Sequence, residues 1–173
     1  QVPHEFLKRA VGDAGVFLPN AGEYGVGMVF LPPQVDARQQ CEALFSRMIG
    51  EEGARLLGWR DVPVKSDAIG AVARSTEPFM RQVFIARDVL NEGQFERKLY
   101  VIRKRVETAI RESAIQGRDY FYISSLSANT IVYKGLLLPE QMSDYYQDLK
   151  DERLMSALAL VHSRFSTNTF PTW

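Results

Sequence analysis

The last stretch of the chain, residues 156–173, joins an apolar run to a dense group of polar side chains. Leu158, Leu160 and Val161 are typical of a buried strand, and residues 162–169 then supply hydroxyls, an amide and one fixed positive charge. Donors around a cation at the end of a buried strand favour an anionic ligand. The planar guanidinium of Arg164 suits a carboxylate because it can donate two parallel hydrogen bonds.

The same residues also allow a purely structural interpretation. His162 and Arg164 would then satisfy buried carbonyl groups or form an ion pair within the scaffold. Their types and spacing alone do not separate this interpretation from a ligand pocket.

The other reactive side chains predict neither a nucleophile nor a metal site. Cys41 is the only thiol and, with His4 or His162, would suggest a Cys/His pair. However, it falls on the apolar face of a predicted helix, which indicates a packed and inert thiol. Two histidines and one cysteine show no metal-ligand spacing.

The composition excludes several function classes. Hydrophobic residues make up 46% and charged residues 24% of the 173 positions, as in an ordinary globular protein. Lys and Arg total 21, as do Asp and Glu, so nothing favours nucleic acid or an anionic membrane as a partner. A single cysteine rules out an intrachain disulfide and fits a reducing compartment.

Hydrophobic periodicity predicts helices and strands in mixed order. We expect helices at about 3–11, 34–52, 91–114 and 139–153, and strands at 24–31, 56–62, 80–87, 120–126, 130–136 and 156–161. The link at 127–129 is short enough for a hairpin, which favours antiparallel pairing. The pattern predicts an α+β fold in one domain or part of one.

The final motif, residues 162–173, resembles the glutamine-binding strand and loop of class II glutamine amidotransferases. Their pattern reads roughly His-x-Arg-Phe/Tyr-Ser/Ala-Thr, and the chain has His-Ser-Arg-Phe-Ser-Thr. Stretches 24–32, 57–63, 121–136 and 145–149 look like the glutamate synthases of that family, in the same order. The resemblance therefore runs nearly from end to end.

The resemblance implies the four-layer αββα fold of N-terminal-nucleophile hydrolases. Residues 1–173 would be part of a single class II glutamine amidotransferase domain, incomplete at both ends. The predicted order of helices and strands is compatible with that fold but does not by itself predict it.

The resemblance also implies a chemistry. In the family, an N-terminal cysteine hydrolyses glutamine with its own α-amine as base, and the ammonia travels through a tunnel to a synthase domain that makes glutamate from 2-oxoglutarate. Arg164 would bind the α-carboxylate of L-glutamine, with Ser166 and Thr167 lining the same pocket. No cofactor is implied for this segment, whereas FMN and an iron–sulfur cluster are implied for the full enzyme.

Partners and location follow from the same resemblance. The partners would be the remaining synthase domains of the same polypeptide and either a small electron-transfer subunit or ferredoxin. The electron donor (NADPH, NADH or ferredoxin) is left open. We expect a cytoplasmic protein, with a plastid as the alternative location.

The sequence departs from the family pattern at both ends. Residue 1 is Gln1 rather than cysteine, and the chain stops at Trp173, before the family's Asn-Gly pair that helps to form the oxyanion hole. We therefore expect an interior piece of a glutaminase domain, with no catalytic residue of its own and no activity alone. The alternative is a degenerate, non-catalytic member of the family that acts as a ligand-binding or interaction module.

Overall fold

The computed structural model describes residues 2–12 and 14–162, which form one antiparallel sheet flanked by helices. The α-helices are α1 His4–Gly12, α2 Val35–Glu51, α3 Ala71–Ser75, α4 Glu92–Glu112 and α5 Gln141–Tyr145. The strands are β1 Tyr24–Leu31, β2 Arg55–Asp61, β3 Phe79–Ala86 and β4 Tyr122–Ser127. Short 3-10 helices span Ser66–Ala68, Arg118–Tyr120 and Gln147–Lys150.

The four strands lie in the order β2-β3-β1-β4, and every neighbouring pair is antiparallel. The sequence predicted all four strands, and the antiparallel pairing is confirmed. In β1, Gly27 stands opposite Val83 of β3 on one side and Leu126 of β4 on the other. At Gly27, β1, one of the two inner strands, is therefore enclosed by apolar side chains from both neighbours.

Helices α2 and α4 cover one face of the sheet, as their apolar periodicity predicts. Their buried side chains form one core with alternate residues of the strands, including Val29, Val83 and Ile85. Asn91 begins α4 with a capping box, in which its side chain and that of Gln94 satisfy each other's backbone N–H groups. The long helix therefore starts at the residue that the sequence indicates.

The opposite face carries α1 and the segments on either side of α5. Phe6 and Leu7 of α1 pack against Tyr24 and Phe84 of the sheet. Further along this face, Tyr146 is fully buried, and its backbone forms an antiparallel bridge with Val64, just beyond β2. The chain from 140 to 150 is thus fastened to the end of an edge strand.

The predicted strand at 130–136, and with it the hairpin, is wrong. The hydroxyl of Ser124 donates to the Val132 carbonyl at 2.8 Å, and the Val132 N–H donates to the Ser125 hydroxyl at 3.0 Å. Serine side chains therefore occupy the backbone groups of Val132 that a hairpin ladder would use. The segment lies beside β4 without joining the sheet.

The predicted helix at 139–153 is interrupted. Only α5 and the 3-10 helix Gln147–Lys150 form, because Tyr146 between them takes an extended conformation, with φ of −86° and ψ of 102°. That conformation allows its bridge to Val64. Tertiary pairing has overridden the local preference for helix.

The expected buried strand at 156–161 is also wrong in the described part of the chain. Leu158, Leu160 and Val161 are 74%, 91% and 90% exposed, and residues 156–161 pair with none of the four strands. An apolar run becomes a buried strand only where a sheet edge offers backbone partners. Among the described residues, the helices are too short or too polar to cross a bilayer.

Candidate functional site

The residues that the sequence predicts for ligand binding lie outside the described structure. Arg164, Ser166 and Thr167 all fall within 163–173, and His162, the last described residue, is exposed. Their role in binding glutamine therefore stays a prediction. The described residues do show how the chain that leads to them is held.

Cys41 is buried within the core beneath α2, as the helical pattern predicts. Burial raises the pKa of its thiol to about 11, and the neighbouring carboxylate of Glu42 adds to the rise. His4 lies on the opposite face of the sheet, where its Nδ1 is 3.2 Å from the Tyr24 hydroxyl. The structure thus separates the two members of the Cys41–His4 pair and keeps the thiol protonated.

A buried polar cluster lies on the face that carries α1 and α5. Arg60 of β2 stands opposite Gln82 of β3 in the strand register, so their side chains emerge next to each other. Asp148, from the 3-10 helix Gln147–Lys150, reaches the same point, as does Tyr133. Arg60, Gln82 and Asp148 are 8%, 0% and 3% exposed, so the cluster is shielded from solvent.

Its geometry is that of a bidentate ion pair with two further partners. The guanidinium of Arg60 donates from Nη2 to Asp148 Oδ1 at 2.6 Å and from Nη1 to Oδ2 at 2.9 Å. Nη1 also donates to Gln82 Oε1 at 2.8 Å, and the Tyr133 hydroxyl donates to Asp148 Oδ2 at 2.9 Å. Buried charges are tolerated where they are paired and hydrogen-bonded in this way.

Aromatic rings close the cluster. The ring of Phe6 in α1 lies 5.6 Å from the guanidinium carbon of Arg60, and Tyr146 stacks edge-on against Tyr133 at 5.1 Å. Burial, followed by the charge of Asp148, raises the pKa of Tyr133 above its usual value. Tyr133 therefore stays protonated and acts as a hydrogen-bond donor.

This arrangement joins distant segments of the chain through internal hydrogen bonds. The fork of Arg60 is already occupied by Asp148, so it offers no free pair of donors to a substrate carboxylate. No group of three or more His, Cys, Asp or Glu side chains that could hold a metal ion occurs among residues 2–12 and 14–162. The cluster joins α1, β2, β3 and the chain from 133 to 148.

The sequence pattern did not predict Arg60 and Asp148 as partners. They are 88 positions apart, and no local periodicity relates them. The resemblance to the glutamate synthases could have pointed to them, because each residue lies in a stretch that carries it: Arg60 in 57–63, Tyr133 in 121–136 and Asp148 in 145–149. Three stretches that carry the resemblance therefore meet at one buried cluster.

Comparison with known proteins defines the class. The family model of class II glutamine amidotransferases matches residues 1–173, and the chain belongs to that family. It is 50% identical over its whole length to the large chain of the NADPH glutamate synthase of Bacillus subtilis, and 42% identical over 99% of its length to that of Azospirillum brasilense. It is also 40% identical, over 86% of its length, to the chloroplastic ferredoxin-dependent glutamate synthase of Oryza sativa.

These relatives are much longer than the chain, which covers 11%, 11% and 9% of them respectively. The resemblance read from the sequence is confirmed at the level of the family. The fold expectation is confirmed in its coarser form, as a class II amidotransferase domain with mixed helices and an antiparallel sheet.

Proposed function

We propose that this chain is part of the glutaminase domain of a glutamate synthase, with residues 1–173 belonging to one domain. In the full protein that domain binds L-glutamine and hydrolyses it, and the ammonia serves glutamate synthesis from 2-oxoglutarate. The observation that carries the proposal is the match to the class II amidotransferase family over all 173 residues, which include the motif at 162–173. The names of the relatives support the synthase assignment.

In this proposal Arg164 binds the α-carboxylate of glutamine, and Ser166 and Thr167 line the same pocket. A guanidinium fork matches the two oxygens of a carboxylate and carries a permanent charge. Hydroxyls close by add donors and acceptors for the rest of the ligand. The support is the agreement of these positions with the family's motif.

The proposed fold has four layers, two sheets between two layers of helices. The described sheet would be one central layer, and α2 with α4 would be one outer layer. Supporting this, both long helices pack on the same face of the sheet.

The cofactors of the full enzyme are proposed for other parts of the polypeptide. An iron–sulfur cluster is held by several cysteine thiolates, and this chain has one cysteine, which is buried. The residues present therefore do not fit the cluster. The proposed partners are the other synthase domains and either a small electron-transfer subunit or ferredoxin. The proposed location is the cytoplasm or a plastid, and two ferredoxin-dependent relatives are named chloroplastic.

Substituting Arg164 in the full-length protein tests the proposal. Arg164→Lys keeps the charge but loses the bidentate fork, and a charge-assisted hydrogen bond contributes roughly 1.5–3 kcal/mol. We expect a roughly ten- to hundredfold loss of glutamine-dependent kcat/KM. Glutamate synthesis driven by free ammonia should remain close to that of the wild type, because the synthase site lies elsewhere.

Arg153→Lys is the matched control. Arg153 is an exposed arginine whose partner is Asp151, and it precedes the motif in the same segment. Arg153→Lys should leave both the glutamine-dependent and the ammonia-dependent activity unchanged. If Arg164→Lys instead lowers both activities equally and in step with thermal stability, Arg164 belongs to the scaffold. A wild-type protein that binds glutamine without hydrolysing it would favour the non-catalytic alternative.

A further inference from the structure

The outer face of α4 carries three exposed cations in one line. Arg97, Lys104 and Arg111 follow each other at intervals of seven residues, and all three are exposed. Seven residues make about two turns of an α-helix, so these side chains project from the same side of α4 over about 21 Å of its length. We call this line of residues, together with Tyr100 and Val101 between them, the basic stripe.

The two ends of the basic stripe differ from the other cations of α4 in their partners. Four of the six cations of the helix form salt bridges with carboxylates: Lys98, Arg103, Lys104 and Arg105. Within the described ranges 2–12 and 14–162, neither Arg97 nor Arg111 forms a salt bridge, and Arg111 donates to the Thr108 hydroxyl at 3.3 Å. Both guanidinium groups are therefore available to carboxylates of a partner.

The middle of the basic stripe is apolar. Tyr100 and Val101 are 61% and 41% exposed, although α4 buries other apolar side chains, such as Leu99, in the core. The ammonium of Lys104 lies 5.9 Å from the centre of the Tyr100 ring, so the aromatic and the charged side chains are contiguous. Tyrosine and arginine are enriched in protein interfaces and among the residues that dominate binding energy. The stripe therefore has the composition of an interface.

A groove of about 480 Å³ lies beyond the C-terminal end of α4. Its walls include Leu44 and Arg47 of α2 and residues 113–115, which directly follow the helix. The groove starts two residues after Arg111, so it continues the basic stripe. Leu44 and Ile115 give it an apolar lining, and Arg47 adds a further cation beside it. A partner that lies along α4 would thus find a recess for apolar side chains next to Arg111.

We propose that the basic stripe and this groove form a docking surface for an acidic segment of another domain of the same full-length polypeptide. The inference rests on the proposed function, because it takes the chain as one part of a glutamate synthase. Charge selects the partner, since two unpaired guanidinium groups attract carboxylates and oppose another basic surface.

The length of the relatives indicates where the partner lies. The chain covers 11% of the glutamate synthase large chains of Bacillus subtilis and Azospirillum brasilense, so a synthase of that size offers extensive surface on the same polypeptide. A segment tethered in this way has a high effective concentration at the stripe. A modest surface with few charges is then sufficient for docking.

Cross-linking of the full-length protein with a carbodiimide tests the docking. The reagent joins a lysine amine directly to a carboxylate in contact with it. We expect Lys104 to be linked to an Asp or Glu outside residues 1–173, as identified by mass spectrometry of the tryptic peptides. Hydroxyl-radical footprinting of the same protein should show that Tyr100 is protected from oxidation.

Reversing the charge at both ends of the stripe should release the partner. For Arg97→Glu with Arg111→Glu we expect the yield of the Lys104 cross-link to fall roughly tenfold or more, because like charges would then face each other. Oxidation of Tyr100 should rise several-fold. Arg97→Lys with Arg111→Lys is the matched control, since it keeps both charges at the same positions and should retain the cross-link and the protection.

The wild-type protein gives a second test that needs no substitution. At an ionic strength of about 1 M the Debye length is about 3 Å, so we expect the Lys104 cross-link to weaken and Tyr100 to become more reactive. This measurement decides the question if the charge-reversed protein does not fold.

Three results would overturn the proposal. They are links from Lys104 only to carboxylates within residues 1–173, oxidation of Tyr100 that is equally fast in the wild type and the charge-reversed variant, and a link to a second copy of the polypeptide, seen at twice the mass. Absence of glutamine-dependent glutamate synthesis in the wild type would instead refute the proposed function. In a protein that is active, a missing cross-link overturns the docking alone.

Discussion

The close approach of β1 to its two neighbouring strands makes Gly27→Ala a sensitive test of the fold. A Cβ at Gly27 would lie 2.7 Å from Val83 Cγ1 and 2.9 Å from Leu126 Cδ1. Ordinary van der Waals contact begins near 3.4 Å, so the methyl group would intrude by several tenths of an ångström on both sides. Val83 is β-branched and has little rotamer freedom with which to retreat.

The magnitude follows from two opposing effects. Forcing an extra methyl into a well-packed core costs about 1–3 kcal/mol. Replacing glycine also restricts the unfolded chain, which returns about 0.4–1 kcal/mol. We therefore expect Gly27→Ala to lower the free energy of opening of β1 by about 1–2 kcal/mol.

Native-state hydrogen exchange of the full-length protein measures this opening locally. A loss of 1–2 kcal/mol corresponds to roughly 5- to 30-fold faster exchange of the β1 amides, since about 1.4 kcal/mol is a factor of ten. Gly50→Ala is the control, because Gly50 lies in α2 and a Cβ there meets nothing within 4 Å. That change should leave exchange in β1 unaltered and stabilise α2 by up to about 1 kcal/mol.

Equal exchange rates in β1 for the two alanine variants would contradict this close packing. Unchanged exchange in β1 for Gly27→Ala would mean that the sheet has room for a methyl group at this position. The close packing of β1 between Val83 and Leu126 would then be wrong.

Two more predictions concern titratable groups in the helical layer. Burial raises the pKa of Cys41 to about 11. We therefore expect Cys41 to resist iodoacetamide at pH 8 in the native protein and to react on unfolding, as measured by mass spectrometry of its peptide. Rapid labelling of the native protein would contradict the buried position. Hydrogen bonds from Arg105 and then Lys98 lower the pKa of Glu52 below 4.5. The ionised Glu52 carboxylate therefore contributes to stability above that pH, and this contribution is lost as the pH falls through the folded-state pKa. The difference in free energy of unfolding between the wild type and Glu52→Gln should therefore shrink as the pH falls below about 4.5. A difference that stayed constant would show that the ion pairs do not stabilise the ionised carboxylate.

Local sequence patterns were sufficient for α4, which buries one apolar face, and for β1, which is buried along nearly its whole length. The spacing of Phe95, Leu99 and Ile102 predicts α4, and the apolar run 24–31 predicts β1. Each of these elements is stabilised mainly by side chains that its own sequence supplies. The antiparallel arrangement was predicted from a hairpin at 120–136; the sheet is antiparallel, although that hairpin did not form.

Patterns failed where distant residues decide the conformation. Tyr146 is not helical because its backbone pairs with Val64. Val132 forms no strand pairing because two serine hydroxyls bind its backbone groups. The Arg60–Asp148 pair depends on the whole chain being folded. These contacts are long-range or side-chain-mediated, and neither kind leaves a periodic trace in the sequence.

The function proposed for the chain requires that the motif at 162–173 binds glutamine. The most direct measurement is hydrogen exchange of the full-length protein with and without saturating L-glutamine, read at short times by mass spectrometry, with D-glutamine as the control ligand. We expect slower exchange in peptides that cover 162–173 with L-glutamine alone, and loss of that protection in Arg164→Lys. Protection that appears elsewhere but not in these peptides would contradict the binding of glutamine at this motif.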